Sequence, residues 1–530
     1  MKNIRTTPWR VGWRRRWSWR WSETMAMSST EQFIQRIVTH RNAREVIGVM
    51  IGIAMAWIVG KGIAGGKFGF LIMVGGLIVF LVSFFRRHSI VFLFPVVISV
   101  PNIGLDIPGP WAVTIQDAFV LLIFAGYLTR RIIQRKYIIP RNDNILIPFL
   151  IFAGIAVLCL TKVAWISPGN LLFNIKELMR LWLLLLFYVV MTDVLDSKKQ
   201  LLRLTFWLLI WAVWMMAVSA YIYLTLSPFW YYILTMQPAY IFMRTKVLRM
   251  ASIAGSTSYT GIYYAVIAAL GAHFVPFYNT KLRRMGGIAF MVAVMTCIVF
   301  TFNRGTWVGI LLGLTVMVIL GEIERRRVLV GALLIGGIVA LMTTSLFGEI
   351  DVEQQVVDFF YYSRSSAQSR IVRWISAINV IIDHPLLGVG YNNYAFVYGR
   401  YSIVEGITRM YGSPHNMYVD VITGTGILGF SVYATMIIRL WRQMQTNLRA
   451  NLPRDMHLLS RGVFIGFLFF LGSGLFDSFL FKPHHSSYLI VTLWAMSTAI
   501  FRIRTGVIVD PDVELTDAAP TAPPGDEAPS

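Results

Sequence analysis

The amino-acid sequence predicts an all-α, polytopic integral membrane protein with about 12–14 transmembrane helices and a large, helix-containing extracytoplasmic loop. Composition is the first reason, because 56% of the 530 residues are hydrophobic, above the roughly 45–50% that is usual in soluble domains. Patterning is the second, because these residues form blocks of about 20, the length that a helix needs to cross a bilayer. No alternation typical of a membrane β-barrel is visible in the sequence.

The hydrophobic blocks define the predicted spans one by one. They cover residues 45–60, 67–85, 89–105, 111–129, 144–161, 171–192, 204–226, 257–278, 286–302, 305–321, 328–346, 417–438, 462–481 and 485–501. If the N-terminus is cytoplasmic, the clusters of Lys and Arg between the spans all fall on the cytoplasmic side. This agreement with the positive-inside rule places both termini in the cytoplasm.

The threading divides the chain into five segments. They are a cytoplasmic Arg/Trp-rich segment (1–44), transmembrane helices (45–346), a large extracytoplasmic loop (347–416), C-terminal transmembrane helices (417–502) and a disordered cytoplasmic tail (503–530). The formal net charge of +22 is spread over the loops between spans. We therefore expect the chain to contact anionic membrane lipid and not nucleic acid.

Several arginines lie on the predicted outer side, against the topological preference. Arg249 precedes a span, Arg304 lies in a tight turn between two spans, and the large loop carries Arg364, Arg370 and Arg373. The planar guanidinium binds phosphate oxygens in pairs, so such cations indicate a phosphate or diphosphate ligand. The alternative is that they anchor helix ends at the interface. Gly305, next to Arg304, is expected to let a ligand approach the backbone closely.

Two further features of the large loop could carry chemistry. Residues 363–382 have the isoleucine spacing of an amphipathic helix, which could also lie passively on a surface. His415 ends the loop directly before a span, where a neutral imidazole can act as a base for a sugar hydroxyl. A lone histidine is also compatible with a simple hydrogen-bonding role. No Walker loop, dinucleotide motif, nucleophile elbow or HExxH is present in the sequence, and no metal or cofactor is predicted.

Three ordered motifs resemble those of the O-antigen ligase and O-antigen polymerase superfamily. They are Asn303-Arg304-Gly305-Thr306-Trp307, then Arg370-Ile-Val-Arg373-Trp374 with His384-Pro-Leu-Leu-Gly-Val-Gly390, and finally His415-Asn416 with Gly424-Thr-Gly-Ile-Leu-Gly-Phe430. Their order and spacing agree with the family over residues 249–430. The chain departs from the family pattern at Asn303, where serine is common, and at Thr425, where an acidic residue is common.

The resemblance implies a GT-C-like glycosyltransferase of the bacterial inner membrane whose active site faces the extracytoplasmic side. It implies transfer of a glycan from undecaprenyl diphosphate, without a metal and with inversion, to a second lipid-linked glycan or to a lipid core. The family's catalytic set corresponds here to Arg249, Arg304 and His415. The predicted substrate-binding residues are Arg364, Arg370, Arg373, His384, Tyr391 and Asn416.

Other functions stay open at this stage. The sequence does not choose between a ligase and a polymerase. A transporter or flippase for lipid-linked glycans is a different class, favoured by charges inside predicted spans such as Asp117, Glu177 and Arg180. A non-catalytic assembly partner is a third alternative.

Overall fold

The computed structural model describes residues 69–99, 104–105, 113–135, 143–225, 250, 257–274, 280–324, 370–403, 413–478, 485–508 and 510. They all belong to one structural unit, Gly48–Ser530. Helices dominate these ranges, which confirms the predicted all-α polytopic fold. The described strands are limited to two residues each, β1 (Gly104–Leu105) and β2 (Val113–Thr114), paired antiparallel.

The N-terminal half of the described chain contains seven helices. They are α1 (Gly69–Phe85), α2 (Ile90–Ser99), α3 (Ile115–Ile133), α4 (Leu146–Leu158), α5 (Leu160–Ile166), α6 (Leu171–Val194) and α7 (Lys198–Thr225). The C-terminal half contains eight in the described ranges. They are α8 (Thr257–Phe274), α9 (Lys281–Phe300), α10 (Arg304–Ile319), α11 (370–383), α12 (Tyr394–Tyr401), α13 (Met417–Arg449), α14 (Arg454–Ser473) and α15 (His485–Arg504).

Six helical stretches in the described ranges are long and apolar enough to cross a membrane. They are Leu146–Ile166, Lys198–Tyr221, Lys281–Phe300, Met417–Arg449, Arg454–Ser473 and Ser486–Arg504. Two shorter apolar helices, Gly75–Phe85 and Arg304–Ile319, accompany them. The predicted spans 45–60 and 328–346 lie outside the described residues, as does the N-terminal segment 1–44, so the full number of spans stays a prediction.

One predicted span is displaced along the chain. The apolar block 462–481 was expected to cross the membrane, but α14 begins at Arg454 and ends at Ser473. Gly474 then caps the helix and residues 474–476 form a turn. Because of this early end, Asp477 lies in a connecting segment and not inside a membrane helix.

The three charged residues predicted inside spans form ion pairs with one another, in which Arg180 lies between Asp117 and Glu177. Arg180 Nη1 donates to Glu177 Oε1 at 2.7 Å, and its Nε lies 3.5 Å from Asp117 Oδ2. Asp117 also closes a capping box with Thr114 at the start of α3. Asn392 donates to the second oxygen of Glu177 at 3.1 Å. These contacts give the charges a structural role that joins α3, α6 and the segment after α11.

Helices α10 and α14 pack closely through small residues. A Cβ added to Gly309 would lie 2.2 Å from Ser473 Oγ, and one added to Gly472 would lie 2.8 Å from the Gly309 Cα. Such small residues allow the backbones of membrane helices to approach each other. The packing brings the N-terminus of α10 beside the C-terminal end of α14.

Candidate functional site

Three connecting segments and the start of one helix meet at one end of these helices. They are the turn before α10 (301–303), the start of α11, the turn before α13 (413–416) and the turn after α14 (474–478). The Met417 N–H donates to the Gly474 carbonyl at 2.7 Å, which ties the start of α13 to the end of α14. We call this region the outer site, after the side on which the sequence analysis places it.

His415 and Asp477 form a hydrogen-bonded pair in the outer site. The His415 Nδ1 atom lies 3.1 Å from Asp477 Oδ1. The imidazole is 35% exposed and the carboxylate 14%, so the histidine can reach a ligand while the aspartate stands behind it. A carboxylate that accepts from Nδ1 requires the proton on that nitrogen, which leaves the Nε2 lone pair available to take a proton.

The Asp477 carboxylate is held in its ionised form. Burial raises the pKa of Asp477, but hydrogen bonds from His415, Ser258 and the Ser478 backbone, together with the charge on His415, outweigh it. Their sum lowers the pKa from 3.8 to about 2. Asp477 is therefore ionised at neutral pH.

The backbone at His415 is constrained. His415 has φ +53°, a left-handed conformation that costs a non-glycine residue about 1–3 kcal/mol. Its N–H donates to Ser413 Oγ at 3.3 Å. The preceding Pro414 carbonyl accepts from Trp374 Nε1 at 2.9 Å, which links this turn to α11. These contacts fix the position of the imidazole relative to the arginines of α11.

Asn416, predicted to bind substrate, caps the N-terminus of α13. Its Oδ1 accepts from the N–H groups of Tyr418 and Val419 at 3.0 and 3.1 Å. This is the ordinary task of an asparagine at a helix N-cap. The side-chain oxygen is thus engaged by the helix, and a contact with substrate stays a prediction.

Arg304 opens helix α10 after a constrained turn. Phe302 has φ +47°, and the Asn303 side chain caps the helix by accepting from the Gly305 N–H at 3.1 Å. Asn303 Nδ2 also donates to the Ser258 carbonyl at 3.3 Å. Asparagine and serine are both good N-caps, so Asn303 can replace the serine that is common in the family without loss of this function.

Contacts connect the Arg304 turn to the histidine. Ser258, which accepts from Asn303, also bonds to Asp477 through its side chain. The charge of Arg370 acts on both Arg304 and Asp477. The structure therefore brings Arg304, Arg370 and His415 together in one site.

The cations of α11 are partly removed from water. Burial lowers the pKa of Arg370, and the charge of Asp477 opposes this change. Burial likewise lowers the pKa of Arg373, whose carbonyl accepts from Tyr394 Oη at 2.6 Å. Both side chains stay protonated because the ordinary pKa of arginine lies so high. Fixed guanidinium groups at low dielectric attract a diphosphate more strongly than solvated ones do.

The remaining residues predicted for the site are not among those that the structure brings together at the outer site. His384 Nε2 lies 2.9 Å from Tyr401 Oη at the far end of α11, roughly 16 Å along the helix from Arg373. Burial and the charge of Lys162 lower the pKa of His384. Tyr391 is buried with 6% of its surface exposed. Arg249 and Arg364 lie outside the described residues.

The glycine-rich motif after α11 is hydrogen-bonded to a break in α13. The Val389 N–H donates to the Thr423 carbonyl at 2.9 Å, and the Gly390 N–H donates to the Gly424 carbonyl at 3.1 Å. The two motifs that carry the resemblance in this part of the chain are therefore one structural unit. The unit orients α11, and with it the arginines of the outer site.

Positive φ values and close backbone approach explain the glycines of this unit. Gly426 interrupts α13 with φ +63°, and a Cβ there would lie 2.2 Å from the Leu386 carbonyl oxygen. Gly388 has φ +62°, and a Cβ there would lie 2.3 Å from the Thr423 carbonyl oxygen. Both positions require glycine for packing and not for contact with a ligand.

At Gly305 the space beside the backbone is filled by protein. A ligand was expected to approach its backbone, but a Cβ added at Gly305 would lie 2.9 Å from the Cβ of Phe476. The small residue makes room for the turn after α14. It thereby helps to hold Asp477, the residue that follows Phe476, beside His415.

Residues 288–434 match the family model described as O-antigen ligase. This part of the chain is similar to an O-antigen ligase domain. The resemblance to the O-antigen ligase superfamily is thereby confirmed, and with it a multi-pass membrane protein. No curated protein matches the chain.

The matched region contains Arg304, Arg370, Arg373 and His415, but it begins after Arg249 and ends before Asp477. Sequence reasoning missed Asp477 because it lies among apolar residues of the block 462–481. A signal was nevertheless available, since an ionisable residue inside a predicted span is by default a candidate for function.

Clusters of three or more His, Cys, Asp or Glu side chains that could hold a metal ion do not occur among the described residues. The groups that the outer site assembles include cations, an imidazole and the Asp477 carboxylate. Such a set is suited to binding phosphate and moving a proton.

Proposed function

We propose that the chain is a glycosyltransferase that moves a glycan from undecaprenyl diphosphate to an acceptor hydroxyl on the extracytoplasmic side of the bacterial inner membrane. The observation that carries the proposal is the His415–Asp477 pair beside Arg304 and Arg370. The similarity to an O-antigen ligase domain supports the general class of membrane enzyme.

The arginines act on the donor. When the bond between the anomeric carbon and the phosphate oxygen breaks, the electron pair leaves with the diphosphate, and negative charge grows on its oxygens. Arg304 and Arg370 stabilise this charge in the role that Mg²⁺ has in other transferases, so the reaction needs no metal. Arg249 is proposed as a third cation. Its neighbour Met250 donates its N–H to the Phe300 carbonyl at 2.8 Å, at the end of α9.

His415 acts on the acceptor. The Nε2 atom takes the proton of the acceptor hydroxyl while the oxygen attacks the anomeric carbon from the side opposite the diphosphate. This single displacement inverts the anomeric configuration. The imidazolium that forms is stabilised by Asp477, in the manner of other carboxylate–histidine pairs.

The acceptor determines whether the enzyme is a ligase or a polymerase. A lipid core makes it a ligase, and a second lipid-linked glycan makes it a polymerase. We favour the polymerase, which includes exopolysaccharide systems. The transporter alternative loses its main support, because Asp117, Glu177 and Arg180 are engaged with one another.

The test is glycan transfer in proteoliposomes with the undecaprenyl-diphosphate-linked repeat of the native organism, in the presence of EDTA. Arg304→Ala and His415→Ala should each lower the rate at least about 100-fold, because one removes charge stabilisation and the other the base. Arg304→Lys should also lose most activity, because lysine keeps the positive charge but lacks the planar guanidinium that binds two phosphate oxygens at once. Arg400→Ala, an exposed arginine on α12, is the matched control and should retain activity.

Each result has a defined meaning. A ladder of products on the lipid carrier identifies a polymerase, and a single transfer to an added lipid core identifies a ligase. Full activity in the Arg304→Ala and His415→Ala variants, or loss of activity with EDTA, would contradict the mechanism. Movement of the lipid between leaflets without transfer would establish the transporter.

A further inference from the structure

A polar pocket lies at the other end of the helices, away from the outer site. Its volume is about 370 Å³ with its open mouth included. It is lined by Ser83, Tyr127, Arg130, Arg131, Gln134 and Asp193. Arg130 lies roughly 20 Å along α3 from Asp117. We call it the inner pocket, because the positive-inside rule places this end in the cytoplasm.

Arg131 is held in one orientation within the inner pocket. It forms an ion pair with Asp193, and its Nε donates to Tyr127 Oη at 3.1 Å. The guanidinium also lies over the Tyr127 ring, 5.5 Å from its centre. A guanidinium fixed in this way presents its other N–H groups without a further loss of side-chain freedom.

The inner pocket is richer in hydrogen-bond donors than in acceptors. Arg130 adds a second guanidinium, and Gln134 adds an amide one turn further on. Asp193 is the carboxylate of the lining, and Arg131 already pairs with it. The negative C-terminal ends of α1, α3 and α6 oppose an anion. Arg130 and Arg131 in the last turn of α3 compensate them, as does Arg502, which donates to the Thr192 carbonyl at 2.8 Å. The lining thus suits an anion with several acceptor oxygens.

Exposed apolar side chains at the same ends of α1 and α3 indicate where such an anion comes from. Phe85, two residues after Ser83, is 45% exposed, and Ile132, next to Arg131, is 62% exposed. In a membrane protein such side chains contact acyl chains. A phospholipid could therefore place its phosphate in the pocket and its chains along these residues.

We propose that the inner pocket binds a phosphate group, supplied by an anionic phospholipid of the cytoplasmic leaflet. Two charge-assisted guanidinium contacts to one phosphate give it affinity. The bound lipid connects the ends of α1, α3 and α6, the three helices that supply Ser83, Arg130 and Asp193. The proposal concerns a site distinct from the outer site and does not depend on the reaction proposed there.

The experiment measures lipid binding by the full chain in detergent, by native mass spectrometry and by the midpoint of thermal unfolding. Phosphatidylglycerol is titrated against phosphatidylcholine. Arg130→Gln should weaken phosphatidylglycerol binding roughly tenfold, since one charged contact to phosphate is lost. Arg131 is left intact because its removal would leave Asp193 buried without its cation. Arg135→Gln, which removes an exposed charge just beyond the end of α3 and outside the pocket lining, is the matched control and should bind as the wild type does.

A second variant and a measurement with inorganic phosphate complete the test. Gln134→Glu places a negative charge at an exposed position of the lining and should weaken phosphatidylglycerol binding even if Arg130→Gln folds poorly. Stabilisation by inorganic phosphate but not by phosphatidylglycerol would overturn the lipid as the source. Equal binding of both lipids would overturn the anionic lipid as the source, because phosphatidylcholine also carries a phosphate group. Unchanged binding in both variants would overturn the phosphate site itself.

Discussion

At the scale of single residues, the central feature is the carboxylate behind the histidine. Because the pKa of Asp477 is lowered from 3.8 in the unfolded chain to about 2 in the folded one, its ionised form stabilises the folded state. The stabilisation amounts to about 2 kcal/mol. It is fully present above about pH 4 and is lost as the pH falls towards 2. At neutral pH the carboxylate is available to hold the Nδ1 proton of His415.

Replacement of this carboxylate by its isosteric amide tests the pair. Asp477→Asn should lower the rate of glycan transfer at least about 100-fold, because the amide cannot stabilise an imidazolium and permits the wrong tautomer. The unfolding midpoint of the wild type should exceed that of the variant at neutral pH, and the difference should shrink between pH 4 and pH 2. Transfer assays and thermal unfolding across this pH range measure both effects.

The control for this variant is Asp383→Asn, which changes an exposed carboxylate at the end of α11. It should leave the rate unchanged and alter the unfolding midpoint only slightly, because its hydrogen bond with Tyr401 can also be made by an amide. Full activity in Asp477→Asn would show that His415 does not need the anion, and would leave the histidine as a hydrogen-bonding partner of the acceptor.

At the scale of secondary-structure elements, the break in α13 positions the arginines of the outer site. The segment after α11 is bonded to the carbonyls of Thr423 and Gly424, where the turn of α13 around Gly426 is not helical. An unbroken helix would use these carbonyls for its own hydrogen bonds. The conformation at Gly426 is therefore what allows the two segments to join.

Substitution of the glycines at this junction should damage the whole site. Gly426→Ala and Gly388→Ala should each lower the free energy of unfolding by at least about 2 kcal/mol, since each combines a left-handed backbone with a steric clash. Activity should fall with stability, because α11 loses its fixed orientation. Thermal unfolding of the purified variants, followed by the transfer assay, measures the two effects.

Gly154→Ala is the matched control, because a Cβ there meets no atom within 4 Å and the helix conformation is ordinary. It should be neutral or slightly stabilising. Wild-type stability in Gly426→Ala would mean that α13 can continue without its break and that the motif has another purpose.

At the scale of the whole molecule, the contacts agree with the threading derived from charge. The ends of α1, α3 and α6 line the inner pocket, as they must if each of these helices runs from outside to inside. The start of α13 and the end of α14 meet at the outer site. The sides of the membrane that these two ends face stay a prediction.

Labelling with a membrane-impermeant thiol reagent tests the orientation. Cys159 and Cys297 are free and buried, so the wild type should react little. In intact spheroplasts Asp383→Cys should react, while Lys199→Cys should react only after the membrane is opened; both positions are exposed. Reaction of both from the same side would contradict the threading, and the reverse pattern would place the outer site in the cytoplasm.

The sequence by itself determined the class of the molecule and part of its site. Hydrophobic blocks and basic loops are local features that the membrane imposes on each segment separately, so they predict spans and their order. The short motifs likewise predicted Arg304, Arg370 and His415 as candidate site residues, because each motif is continuous in the chain.

Only the tertiary structure decided which residues those motifs meet. Asp477 lies 62 residues after His415, hidden in an apolar block, and becomes its partner because α14 ends early. The charges of Asp117, Glu177 and Arg180 favoured a transporter in the sequence and instead form ion pairs that join two helices. Local periodicity does not encode such contacts, because they depend on how closely helices pack and where each one stops.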